Sequence, residues 1–305
     1  MKHRRKQAKD MEAAEKSVTN RRAIFGVVAA AGVLTVVACV FYFDVIVDQG
    51  GAWLSGVGPE FFLFVFGGFI AQMIDGSLGM AYGVSASTFL MSFGVPPAAA
   101  SASVHTAEIF TSGASGLSHL RLQNVNKKLF RSLLLPGIAG AVTGAYLLSS
   151  FEEYNYILKP IVATYTLVLG VIIVRKAIRK HQPKTKTKNI PALASFGGFM
   201  DSIGGGGWGP IVASTLIAKG RNPRYTIGSV NLAEFFISSA SSITFFATIG
   251  VGYIHIIVGL ILGGLVAAPI AAQLTRKLPV KKIMIIVGVV VILVSLRLIV
   301  KAFLS

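Results

Sequence analysis

Seven apolar runs of membrane-spanning length, at residues 23–47, 98–118, 130–150, 156–174, 225–249, 252–274 and 283–300, constrain this chain more than any other feature. A helix needs roughly 20 apolar residues to cross a bilayer. Within lipid it must also satisfy its own backbone hydrogen bonds, which a helix does internally. The expected fold class is therefore an all-α polytopic membrane protein. Composition agrees: 53% of residues are apolar and only 13% are charged, with a mean hydropathy of +0.70. An ordinary soluble domain is about one-quarter charged, which counts against a soluble enzyme. The apolar content counts equally against disorder.

The net charge is +17, a value that elsewhere would point to nucleic acid. Its distribution points to a membrane instead. Of the 29 Lys and Arg residues, 26 fall in five short stretches: 1–22, 121–131, 175–188, 219–224 and 276–282. The loops between them, 44–60, 94–97, 151–155 and 250–251, hold acids and almost no base. Placing the five basic stretches in the cytoplasm satisfies the positive-inside rule. It puts the N-terminus inside and the C-terminus outside. The run 23–47 is longer than the apolar region of a cleaved signal and reads as a retained first span. Lys159 and Arg297 lie near outer span ends, where long basic side chains snorkel. Cys39 is the sole cysteine, so neither a disulfide nor a cysteine metal site is expected.

Two further apolar runs, 59–93 and 190–218, are too long for one span and are interrupted by glycine. The loop charges require the first to enter and leave from outside, and the second to enter and leave from the cytoplasm. Both then read as helical hairpins. Three spans separate them, so the two halves have opposite orientation. An offset of 126 residues aligns Asp75–Ser115 with Asp201–Ser241 without a gap, giving 14 identities in 41 positions. Asp75/Asp201, Pro97/Pro223 and Glu108/Glu234 are among them. The expected architecture is two inverted repeats, each a Gly-broken helical hairpin plus three transmembrane helices, with an extra N-terminal transmembrane helix. The segments are a basic tail at 1–22, the extra helix and outer loop at 23–57, a first repeat at 58–180, a basic linker at 181–189 and a second repeat at 190–305.

Of twelve acids, Asp75, Glu108, Asp201 and Glu234 fall inside membrane segments, as two repeat-related pairs. A mid-bilayer carboxylate costs at least about 2.5–3.5 kcal/mol, so four of them imply a cavity, partners or protonation. Asp75 and Asp201 precede glycine-rich turns and could equally cap a half-helix. Glu108 and Glu234 sit inside full helices, which favours a functional role. His105 lies one turn before Glu108; Asn231 holds the same place before Glu234. A His beside a membrane Glu is a candidate proton relay.

The turns read Asp75-Gly-Ser-Leu-Gly-Met-Ala-Tyr-Gly83 and Asp201-Ser-Ile-Gly-Gly-Gly-Gly-Trp-Gly209-Pro210. Each looks like a break between two half-helices, the second of which would offer free N–H groups and a positive dipole end to an anion. Gly-interrupted segments at matching places in two halves point to a transporter binding site. Candidate substrate contacts are Asp75, Gly76, Ser77, Gly79 and Gly83 on the first turn, and Asp201, Ser202, Gly204, Gly205, Gly206, Gly207, Trp208 and Gly209 on the second, with Asn231. Tyr82 also flanks the first turn. Candidate proton-coupling groups are His105, Glu108 and Glu234. Gly137, Gly140, Gly144, Gly263 and Gly264 read as helix-packing positions.

The stretch Gly67–Gly83, its later copy Gly197–Gly209 and the segment Ser229–Phe236 resemble the TauE/SafE sulfite exporter family, over roughly residues 58–304. That resemblance implies a secondary transporter of sulfite or a small organosulfonate such as sulfoacetate in the cytoplasmic membrane of a prokaryote. The leading expectation is thus anion export without a cofactor, the anion held at the two turns and proton-coupled through the carboxyls. A cation or divalent-metal transporter with the same acids as ligands is the alternative. No nucleophile–base set for an enzyme can be assembled. Expected partners are the anion and the bilayer, with anionic lipid near the basic tail and no nucleic acid. Sequence leaves homo-oligomerisation open.

Overall fold

Helix boundaries follow from caps and prolines that the sequence supplies. A computed structural model describes residues 58–78, 80–178, 189–274 and 280–304, all within one compact unit, 58–305. The helices are α1 (Glu60–Leu78), α2 (Tyr82–Ser92), α3 (Pro97–Arg121), α4 (Lys127–Ser150), α5 (Asn155–Ile178), α6 (Ile190–Gly204), a π-helical turn (Trp208–Ala213) leading into α7 (Ser214–Ala218), α8 (Pro223–Ile249), α9 (Ile254–Leu274) and α10 (Val280–Leu304). No strand occurs among the described residues. The tail, the 23–47 span, most of the basic linker and Gly79 lie outside the described residues, as does the side chain of Ser77.

Asn126, Asn189 and Asn222 precede α4, α6 and α8. Their side chains accept from Leu129 N (3.0 Å), Ala192 N (3.2 Å) and Arg224 N (3.0 Å). Each satisfies a donor that a helix start leaves open. Pro97 and Pro223 occupy first-turn positions of α3 and α8, where a missing N–H is no loss. The turns before those helices have the same backbone geometry. Gly94 and Gly220 take φ of 92° and 88°. Val95 N and Arg221 N reach back to Leu90 O and Leu216 O at 3.2 and 3.1 Å.

Among the described residues, α4, α5, α8 and α10 are long and apolar enough to cross a membrane. Leu135, Tyr156, Ile161, Val266, Leu293 and Phe303 are all more than half exposed, an apolar surface suited to lipid rather than water. The run expected at 98–118 forms α3, yet α3 is too rich in Ser, Thr and Ala to match those four in hydropathy. It is shielded by protein instead along its first two-thirds, where Ala98 to Val104, Ala107 and Ser112 are buried against neighbouring helices.

Packing joins early elements to late ones. α1 lies along α9 and α6 along α4, while α3 lies along α8 and α5 along α10. Glycine permits the closest of these approaches. Gly263 faces the Val65 carbonyl across α1–α9, and Gly140 faces the Ser195 carbonyl across α4–α6. Ser195 Oγ also donates to Pro136 O at 3.0 Å.

Candidate functional site

Both broken hairpins turn back at an aspartate. α1 ends at Leu78 and α2 begins at Tyr82 after Ala81, whose φ is 97°. Such a conformation costs a non-glycine residue of order 1–3 kcal/mol. Asp75 Oδ1 accepts from Tyr82 N at 3.3 Å, seven residues on. In the second hairpin Gly205 closes α6 at φ 63°, and Asp201 Oδ1 accepts from Trp208 N at 2.8 Å, again seven residues on. Each carboxylate therefore accepts from the first amide of the half-helix that follows it, the capping position.

The two glycine turns touch. A Cβ on Gly83 would lie 2.6 Å from the Gly205 carbonyl, 2.7 Å from Gly206 Cα and 2.9 Å from Glu108 Oε1. A Cβ on Gly206 would collide with the Val84 amide. Tyr165 of α5 fastens the second turn: its hydroxyl donates to Gly206 O at 3.0 Å, and its ring covers Gly204.

A cavity of about 40 Å³ lies where the turns meet, room for a few water-sized groups. Asp75, Glu108, Asp201 and Glu234 all line it, together with Gly83, Gly206, Gly207, Gly209 and Asn231. Glu108 and Asp201 are buried; Asp75, Asn231 and Glu234 are half-buried. Ser238 Oγ of α8 donates to Glu108 Oε2 at 3.4 Å, and Asn231 Nδ2 donates to Ser115 Oγ of α3 at 2.8 Å. Both bonds join the early half of the chain to the late half.

His105 stands one layer behind the wall, fully buried. Its Nδ1 lies 2.8 Å from Ser101 O and its Nε2 lies 3.1 Å from Asp201 Oδ2. A carbonyl can only accept, so Nδ1 carries a proton. The second contact needs one more proton, on Nε2 or on the carboxyl. One proton therefore lies between the imidazole and the carboxyl. Ser101 Oγ donates to Ser202 O at 2.5 Å, and Ser202 Oγ pairs with Ser241 Oγ at 2.6 Å, extending the chain of polar groups.

Several sequence candidates sit away from the cavity wall. Gly76 packs toward Ala271; Gly204 and Gly205 pack against Tyr165 and Ser87. The Trp208 side chain is fully buried and donates from Nε1 to Val230 O at 3.1 Å. Other residues went unnoticed in the sequence. Thr111, Ser112 and Ser115 line the cavity beside Glu108. Their spacing of three, four and seven residues is that of one helix face, a signal that was available. Lys176 is another: its Nζ donates to Pro210 O at 3.3 Å and to Met80 Sδ at 3.8 Å, and both residues line the cavity. The sequence places it in a basic run, which hid it.

The chain matches the family described as sulfite exporter TauE/SafE over residues 64–298. This chain belongs to the TauE/SafE family. It is also 39% identical over 246 residues to a protein of Bacillus subtilis (strain 168) called "Probable membrane transporter protein YtnM", a match covering 77% of this chain and 81% of that one. No solved structure matches it. It is accordingly a multi-helix membrane protein of a transporter family, as the spans and the glycine motif had implied.

Proposed function

We propose that this TauE/SafE protein is a secondary active exporter of a small anion, sulfite or a small organosulfonate, and not an enzyme. The observation that carries this reading is the polar cavity at the contact of the two glycine turns, ringed by four carboxyl groups. The anion sits there beside the two glycine turns and the hydroxyls of α3, with Gly83 and Gly206 allowing close approach. Anion and carboxylates repel in so small a space, so protons on Glu108 and Glu234 must accompany the anion. The His105–Asp201 hydrogen bond stands directly behind them. Binding and protonation are thereby linked, which is the requirement for proton-coupled export.

The two halves act as inverted repeats. Supporting this, the pairings α1–α9 and α6–α4 exchange under the 126-residue offset, while α3–α8 and α5–α10 map onto themselves. Rocking one half against the other exposes the cavity to each side in turn.

The test is sulfite efflux from vesicles containing the full chain, with and without an imposed pH gradient. Efflux should follow the gradient in the unaltered protein, and Glu108→Gln with Glu234→Gln should remove that dependence. Retention of the dependence in both variants would sink the coupling.

A second reading rests on one arrangement: ligand atoms of His105, Glu108 and Asp201 lie within 4.8 Å of one another, a mixed nitrogen and carboxylate set that suits a borderline cation. Stabilisation by divalent cations together with no response to sulfite would place this reading first.

A further inference from the structure

The anion reading leaves an electrostatic gap. Among the described residues lining the cavity there are four acids and no Lys, Arg or His. Lys176 lies at its edge. Tyr165 and Lys176 are separated by eleven residues, three helical turns, and so share one face of α5. That face runs along the second glycine turn, since Tyr165 meets Gly206 and Lys176 meets Pro210.

The ammonium group of Lys176 is only weakly occupied. It carries three donors, and its partners are one carbonyl and one thioether sulfur. Among the described residues no carboxylate pairs with it. A half-buried ammonium facing neutral acceptors has charge left for an anion. It also has reach, because its stem is flexible and its neighbours Met80 and Pro210 belong to the cavity wall. Phosphate- and sulfonate-like groups are strong acceptors for such a donor.

The other half places its cation differently, with Lys301 next to the offset position. The 126-residue offset carries α5 onto residues 281–304 of α10, and position 176 onto Ala302. Lys176 itself stands at one mouth of the cavity, against Met80 and Pro210. That mouth adjoins the end of α5, which leads into the basic run assigned to the cytoplasm.

We propose that Lys176 Nζ is the specificity-determining cation that receives the anion at the cytoplasmic mouth of the cavity and hands it to the glycine turns. The proposal rests on the anion-export reading. It adds a residue and a side: an oxyanion-bearing substrate is captured from within by an ammonium before it meets the glycine turns.

The experiment measures sulfite efflux from vesicles against internal sulfite concentration for the unaltered chain, Lys176→Gln and Lys176→Arg. Losing a charge-assisted hydrogen bond should raise the half-maximal concentration about tenfold or more in Lys176→Gln. The maximal rate should change little, as expected when binding alone is weakened. Lys176→Arg, which keeps the charge, should recover most of the affinity. Unfolding midpoints without anion should coincide, separating binding from packing. If Lys176→Gln does not fold, Lys176→Met keeps the apolar stem and gives the same readout. Unchanged half-maximal concentration in the neutral variants overturns the role of Lys176 and leaves the anion reading standing. No sulfite efflux from the unaltered chain overturns both.

Discussion

Gly206→Ala should separate the two hairpin turns. The added Cβ would collide with the Val84 amide and the Gly83 carbonyl carbon, and would lie 2.8 Å from Gly83 Cα. These are backbone atoms of a second hairpin, so no side-chain rotation relieves the clash. Overpacking of a well-packed site costs about 1–3 kcal/mol, and a backbone obstacle places this change toward the upper end. Gly83→Ala meets Gly205 O and Gly206 Cα from the opposite side at 2.6 and 2.7 Å. Because the first methyl already forces the turns apart, the second should cost less in its company. The two changes should therefore depart from additivity by about 0.5 kcal/mol or more. Gly252→Ala is the control: a Cβ there meets nothing within 4 Å, and a neutral surface change stays within about ±0.5 kcal/mol. The assay is equilibrium unfolding of the four variants and the parent in one detergent, with sulfite efflux measured on the same preparations. If Gly206→Ala unfolds with Gly252→Ala and transports normally, the contact between the turns does not exist and the cavity must be redrawn.

Other changes separate the roles of the acids. Asp201→Ala should cost about 3–5 kcal/mol, because it leaves His105 buried without the partner that shares its proton, whereas Asp75→Ala should cost only about 0.5–2 kcal/mol as a lost cap; chemical unfolding would reveal equal costs if the pairing is wrong. Ser238→Ala removes a hydroxyl from Glu108 and should cost about 0.5–1.5 kcal/mol, while raising no cavity large enough to matter; a gain in stability would contradict the bond. Trp208→Phe should cost about 1–3 kcal/mol, since the Val230 carbonyl loses its buried donor, and it should leave the sulfite half-maximal concentration unchanged because the indole stands off the cavity. A large change in that concentration would return Trp208 to the binding wall.

Much of the architecture is written in one dimension. Spanning length is a local property, so the apolar stretches that become α4, α5, α8, α9 and α10 can be read directly. Caps are equally local, as at Asn126, Asn189 and Asn222. The four intramembrane acids announce themselves because charge in an apolar run is costly. The sequence could not say whether Asp75 and Asp201 cap helices or face a ligand, and the structure gives them both positions: one oxygen on a helix-start amide, and a place in the cavity wall.

Partnerships across the chain are the part no local pattern holds. His105 meets Asp201 over a separation of 96 residues, Glu108 meets Ser238 over 130, and Asn231 meets Ser115 over 116. Lys176 looks in sequence like one more basic residue of a loop, and becomes a neighbour of the cavity because α5 runs beside the second glycine turn. Sequence by itself determined that the chain is helical, lies in a membrane and carries two related glycine-broken hairpins with acids beside them. Tertiary structure alone decided which acid meets His105 and which cation stands at the edge of the cavity. The reason is physical: hydropathy and capping act within a few turns of one helix, whereas a shared proton or a directed ammonium depends on distances of about 3 Å that only the packing of distant helices can set.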